Sequence, residues 1–242
     1  MSDIQSLLDQ AAHSFGQPRM KLLEQAAHQS ERAFKNGQTD KKELQLYLSA
    51  IRRYQSTYRI SDSGFSLCAV RIAQKLYELD GVGEVTTLAT KQSSVATESG
   101  TLQIADAHFV NDTEYDPKRV VAQMNHGELF LWGTGGDGTF DVIIRLVDSK
   151  IPVPTQKEYR IVTGATPLGW LHVRSSEVVV TDMAYDTKQS KARLKLKPGS
   201  YQVGVFARDI PDKFYGYLVV LCPLISEEKP VLAEEPQLDI EW

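Results

Sequence analysis

The hydrophobic pattern of this chain changes its period near residue 81, so one type of element cannot fold the whole length. Up to that point the apolar spacing is helical. Ile4, Leu7, Leu8 and Ala11 fall at i, i+3, i+4 and i+7. Pro18 suits the first turn of a second helix that buries Leu22, Leu23, Ala26 and Ala27 and stops at Gly37. Thr39 or Asp40 can cap a third helix, and Asp40 with Glu43 resembles a capping box. Phe65, Cys68, Ala69, Ile72, Ala73 and Leu76 give a fourth helix a broad apolar face, closed by Gly81 and Gly83. From Val85 onward the period is two. Dense runs at Leu129–Trp132 and Tyr217–Leu221 read as strands buried on both faces. Frequent turn signals without intervening helices favour an antiparallel sandwich over parallel βαβ units. The expected fold is α+β: a helical subdomain over 1–81, a β-sandwich over 82–225 and an acidic tail over 226–242.

The β region carries a motif twice. Gly138-Thr139-Phe140-Asp141-Val142 and Gly199-Ser200-Tyr201-Gln202-Val203 match in type, and Asp148 and Asp209 follow at equal distances. Upstream, the segment around Leu102 matches the segment around Leu171. The order is shared, so the sandwich is expected to be internally duplicated, with Phe140 equivalent to Tyr201 and Leu102 to Leu171. Pro198-Gly199 reads as a tight turn.

Charge narrows the range of partners. The formal net charge is −4, which gives nucleic-acid binding no support. No apolar run approaches the ~18 residues of a spanning helix, and no signal peptide is visible at the start. Cys68 and Cys222 read as buried thiols, and a cytoplasmic location is the simplest expectation. The tail has six acidic residues, one Lys and two Pro, which favours a solvated, mostly disordered segment. Leu238, Ile240 and Trp242 alternate, so strand addition to a sheet edge is the competing expectation.

Candidate chemistry concentrates at Gly133-Thr134-Gly135-Gly136-Asp137-Gly138. A phosphate loop needs a following helix, but the pattern continues as a strand, so this loop reads as a hairpin turn. Asp137 and Asp141 are the residues that a ligand site there would use, although the spacing supplies no further oxygen ligands. The five histidines lack zinc spacing, no nucleophile elbow is present, and no cofactor or metal is expected. Asp106 with His108 reads as turn chemistry. Arg52 and Arg53 lie among Tyr47, Tyr54 and Tyr58. The tyrosines are expected to pack against the sheet, with the cations on a solvated face.

The run Leu129-Phe130-Leu131-Trp132-Gly133 followed by Gly136-Asp137-Gly138-Thr139-Phe140-Asp141-Val142 resembles strand–turn–strand motifs of bacterial β-sandwich families. Some of those families lie beside polymorphic toxin genes and are thought to be immunity proteins. The resemblance spans about Ala96 to Pro223 and implies a cytosolic protein-binding role without a catalytic residue. The leading expectation is therefore a non-enzymatic inhibitor or immunity protein with a basic protein partner, attracted by complementary charge. Trp132, Asp137, Asp141, Trp170 and Trp242 are the candidate contact residues. The alternatives are a hydrolase with a site near Asp137 and Asp141, and a carbohydrate-binding sandwich that displays Trp132 or Trp170.

Overall fold

A computed structural model describes residues 3–38, 40–58, 63–79, 85–110, 115–155, 157–158, 161–208, 216–225, 229–232 and 234–238. The chain divides into two compact units, Met1–Gly83 and Glu84–Trp242. No helix among the described residues is long and apolar enough to cross a membrane. The first unit contains four helices: α1 Asp3–Ala12, α2 Gly16–Lys35, α3 Lys41–Tyr58 and α4 Ser63–Leu79. Their ends follow local chemistry. At the end of α2, the Gly37 N–H donates to the Phe34 carbonyl from a left-handed backbone at φ 87°. At the start of α3, the Asp40 carboxylate accepts the Glu43 N–H at 3.1 Å. Leu8, Leu23, Ala26, Leu44, Tyr47, Ile51, Tyr54 and Phe65 form the core of this unit. Tyr47 and Tyr54 thus pack among the helices, where the sequence had suggested packing against the sheet. The side chain of Tyr58 lies outside the description.

The second unit begins with β1 Thr86–Thr97 and β2 Thr101–Asp106, followed by α5 Pro117–Asn125. Pro117 opens α5, and the Asp116 carboxylate accepts the Lys118 N–H. Next come β3 Leu129–Gly133, β4 Gly138–Asp148, β5 Val162–Ala165, β6 Gly169–Val173 and β7 Glu177–Asp182. A 3-10 turn at Thr187–Gln189 leads to β8 Ala192–Lys195, β9 Gly199–Arg208 and β10 Gly216–Pro223. One sheet has the order β1-β4-β10-β9-β5, with β6 also on β9, and the other has β3-β2-β7-β8. Phe130, Trp132, Leu102 and Ile104 of the smaller sheet share a core with Phe140, Val142, Tyr217 and Val219 of the larger. At Gly169 an added Cβ would come within 2.1 Å of the buried Phe130 ring, so β6 and β3 approach closely there because the position is glycine.

The α+β division holds, with helices first and strands after. Three finer expectations do not. β10 pairs with β4 in parallel, so the sandwich is mixed. The matching motifs do not occupy matching places. β4 and β9 both flank β10, but one is parallel to it and the other antiparallel. Leu102 lies in the four-stranded sheet and Leu171 in the six-stranded one. Similar strand-plus-turn sequences met different neighbours, and burial rather than local pattern chose the pairing. Asp209, the second motif's final residue, is outside the described residues. Finally, the Gly-rich loop passes from one sheet to the other instead of closing a hairpin, because β3 and β4 belong to different sheets; the Pro198-Gly199 turn likewise leads from β8 in one sheet to β9 in the other.

Candidate functional site

The sheet-to-sheet crossings explain where two carboxylates of the β unit go. Asp182, at the end of β7, is completely buried. Its carboxylate accepts the backbone N–H groups of Glu98 (2.7 Å), Ser99 (3.2 Å) and Ala184 (2.6 Å), and the Ser99 hydroxyl (2.9 Å). It thereby ties down the crossing from β1 to β2. Asp106, at the far end of neighbouring β2, does the same for the crossing from β6 to β7. It accepts N–H groups from Arg174 (2.6 Å), Ser175 (2.7 Å) and His108 (2.8 Å). Burial pushes both carboxyl pKa values up, but the hydrogen bonds outweigh it and hold both below the ordinary carboxylate value.

The Gly-rich loop is held in the same way. The Thr134 N–H donates to the Gly100 carbonyl at 2.9 Å, and the Thr134 hydroxyl donates to the Gly136 carbonyl at 2.7 Å. Asp137 is exposed at its tip. Asp141 lies on the outer face of β4 and accepts from Gln92 (2.8 Å) and from buried Arg208 (3.1 Å). Gly216 lies between Asp141 and Arg208 in the strand register, and its lack of a side chain leaves the path open. Asp141 is thus one end of an ion pair within the sheet, and the structure does not join it to Asp137 as an acid–base couple. Among the described residues no group of three or more His, Cys, Asp or Glu is placed to hold a metal. Burial pushes the thiols of Cys68 and Cys222 up to about 12, so both are inert and free.

The tryptophans also differ from expectation. Trp132 and Trp170 are both buried, so neither is the exposed platform that carbohydrate binding requires. Trp132 packs edge-on to Tyr217 at 5.7 Å. Trp170 lies over Gly127 and donates its indole N–H to the Asn125 carbonyl at 3.2 Å. A Cβ at Gly127 would come within 2.5 Å of that ring, and its φ of +70° suits glycine. Trp242 lies outside the described residues.

Residues 229–232 and 234–238 form a strap that docks on Asn125 of α5, on Trp170 of β6 and on Gly133 at the end of β3, which corrects the expectation of a free tail. Gly133 donates its N–H to the Pro236 carbonyl (2.9 Å) and accepts the Leu238 N–H (3.0 Å), with a parallel bridge at Gln237. Asn125 clamps Leu232 from both sides: its amide donates to the Leu232 carbonyl and accepts the Leu232 N–H, each at 2.7 Å. The Tyr217 hydroxyl donates to the Leu238 carbonyl, and the Lys229 ammonium sits 4.0 Å above the Trp170 ring. Leu232 (7% exposed) and Leu238 (2%) enter the sandwich core. Each contributes about 1.5–3 kcal/mol by burial, which offsets the ordering cost of a proline-bearing segment. Asn125 carried no signal in the sequence. The alternation at Leu238 was the visible hint of docking.

In the helical unit, Gln45, Leu48, Ser49, Arg52 and Arg53 line one stripe of α3 and, with Leu76 of α4, border a cleft of ≈ 340 Å³. Their spacing is i, i+3, i+4, i+7 and i+8, the flank of the stripe that buries Leu44, Tyr47 and Ile51.

No protein-family profile matches the sequence, and no curated protein matches it. Two solved structures share part of the fold. One, described as crocagin biosynthetic gene J, aligns at a TM-score of 0.44 and 16% identity, over 56% of this chain and 99% of its own. The other is ComJ from Bacillus subtilis, described as an inhibitor of the DNA-degrading activity of NucA. It aligns at 0.42 and 9%, over 59% of this chain and 100% of its own. Neither likeness is strong enough to carry a function across.

Proposed function

We propose that this chain is a non-enzymatic protein-binding module that inhibits a toxin or nuclease. One observation carries the reading. Large apolar side chains stand exposed on and next to the C-terminal segment: Val231 (62% exposed) lies on the strap, Ile225 (78%) follows β10, and Tyr115 (50%) donates its hydroxyl to Glu235 of the strap. Exposed apolar side chains rimmed by polar groups suit a surface that a partner covers. Asp141 and Trp170, which suggested chemistry, are instead committed to internal ties, and Trp132 is buried in the sandwich core. The β unit, residues 84–242, holds 22 Asp and Glu against 16 Lys and Arg, so the partner that this surface suits is basic and steered in by charge.

The test is affinity capture from the native cell with the natural chain and with Ile225→Ser plus Val231→Ser. Both sites are exposed, so the fold should survive. The natural chain should retain a basic protein and suppress its activity when the two are mixed. The double variant should bind that protein at least roughly tenfold more weakly. Equal retention of the same proteins by both would sink the proposal.

A further inference from the structure

β1 is an open edge of the six-stranded sheet. It stands at the end of the strand order, and among the described residues its backbone pairs with β4 and with no other strand. Most of its 12 residues are exposed, on both faces, and only Val95 and Thr97 are buried. Such a row of unpaired N–H and C=O groups is a template for a further strand. Lys91 is the single charged residue of β1, although the unit around it is acidic. The strand also reads nearly the same in both directions about Gln92. Thr87 mirrors Thr97, Leu88 mirrors Ala96, Ala89 mirrors Val95 and Thr90 mirrors Ser94, with Lys91 and Ser93 as the one unlike pair.

We infer that β1 pairs antiparallel with β1 of a second copy of this chain, with the twofold axis at Gln92, so that the two six-stranded sheets join. In such an isologous contact each residue meets its own mirror position. Along an edge, every second residue turns both its N–H and its C=O outward. Outward residues of two copies meet only when the axis passes through a residue and not between two. Side chains then select Gln92 from its neighbours. An axis at Lys91 would set two ammonium groups against each other, and one at Ser93 would put each ammonium opposite Val95. At Gln92 each Lys91 faces Ser93, Thr90 faces Ser94, and Ala89 faces Val95 on the side that packs on the core. The run Ala89–Val95 keeps an unbroken register with β4, and the shift at Leu88 ends it. A lysine and a bulge blunt an edge against indiscriminate pairing, and here they leave one register open. A nearly neutral strand also brings two acidic units together where their repulsion is least. The mirror match singles out a second copy, because a strand of another protein gains nothing from it.

Sedimentation equilibrium of the full chain over a range of concentrations tests this. A reversible monomer–dimer equilibrium is expected, and the dimer should persist at high salt because backbone hydrogen bonds hold it. Ser93→Lys sets an ammonium opposite Lys91 of the second copy at two symmetric places. It should raise the dimer dissociation constant at least roughly tenfold at low salt, with the thermal melt unchanged. Ser93→Glu puts a carboxylate there and should lower the constant. Gln92→Cys places a thiol on the axis, so mild oxidation should link two chains covalently. Cys68 and Cys222 are buried and do not compete. Thr90→Cys should not link, because its two thiols would lie about 13 Å apart along the strands, beyond disulfide reach. The cysteine pair reads the register even where a charge at position 93 disturbs folding. A monomer at every concentration, a dimer that folded Ser93→Lys leaves unchanged, or equal linking through Thr90→Cys and Gln92→Cys would overturn the inference. So would a dimer lost in Ile225→Ser plus Val231→Ser, which would run through the strap surface instead.

Discussion

The two units use polar side chains in opposite ways. In the helical unit the ties are mostly local: Gln5 with Asp9, Glu31 with Lys35, Glu43 with Tyr47 and Lys75 with Glu78 all lie three or four residues apart. Such pairs decorate helices that the apolar stripe already holds together. In the β unit the ties are long. Asp182 reaches Glu98 and Ser99, Asp106 reaches Arg174 and Ser175, Asp141 reaches Arg208, and Asn125 reaches Leu232. The Asp141–Arg208 pair spans β10 within the sheet, and the others fasten crossings and a strap, where an unpaired buried group costs about 1–3 kcal/mol. The described helical ties thus stay within one helix, whereas those of the sandwich join segments distant in the sequence.

Removing residues 229–242 should produce the largest effect. It strips Leu232 and Leu238 from the core, so the thermal midpoint should fall by roughly 10 °C. Amide exchange in α2 and α3 should stay unchanged. An unchanged midpoint, or equal loss of protection in both units, breaks the comparison.

Next in size are Asp182→Asn and Asp106→Asn, each expected to cost about 1–3 kcal/mol in urea melts at neutral pH. Both carboxyls have folded pKa values below the ordinary one. Their contribution is therefore complete above the unfolded value and disappears as pH falls through the folded value. The gap between variant and natural chain should close in acid. A gap that is constant with pH would mean that shape, not charge, does the fastening.

Asn125→Ala should cost about 1 kcal/mol, because it unpairs the amide and carbonyl of Leu232 at a partly exposed site. Limited proteolysis should then cut near residue 230 sooner than in the natural chain. Unaltered cleavage would show that Gly133 and the two leucines hold the strap unaided.

The smallest effect should come from Glu31→Gln, which breaks the 2.7 Å pair with Lys35 on the surface of α2. A loss of about 0.3–0.5 kcal/mol, vanishing in salt, is expected. A loss as large as that of Asp182→Asn would erase the contrast between local and long ties.

Legibility followed the same division. The Asp40 cap, the Gly37 stop and the apolar stripes of α1–α4 were visible because each depends on neighbours within a turn or two. α5 escaped notice, since its nine residues bury only Val120 and Met124 and its apolar signal is correspondingly thin. Trp132 and Trp170 were offered as contact residues on their chemistry, but aromatic rings beside dense strands are drawn into the core when a glycine such as Gly127 leaves room. Asp141 looked available for a ligand because its partner, Arg208, is 67 residues away.

By itself the sequence determined the switch from helix to strand, the helix ends, and which residues alternate toward a core, because periodicity and capping are properties of short stretches of chain. Tertiary structure alone decided that β4 runs parallel to β10 and that the Gly-rich loop crosses between sheets. It likewise decided that two similar motifs have different neighbours and that an acidic, proline-bearing segment docks on β3. Those outcomes depend on which distant donor, acceptor or apolar slot is left unfilled once the strands have paired, and no local pattern encodes that.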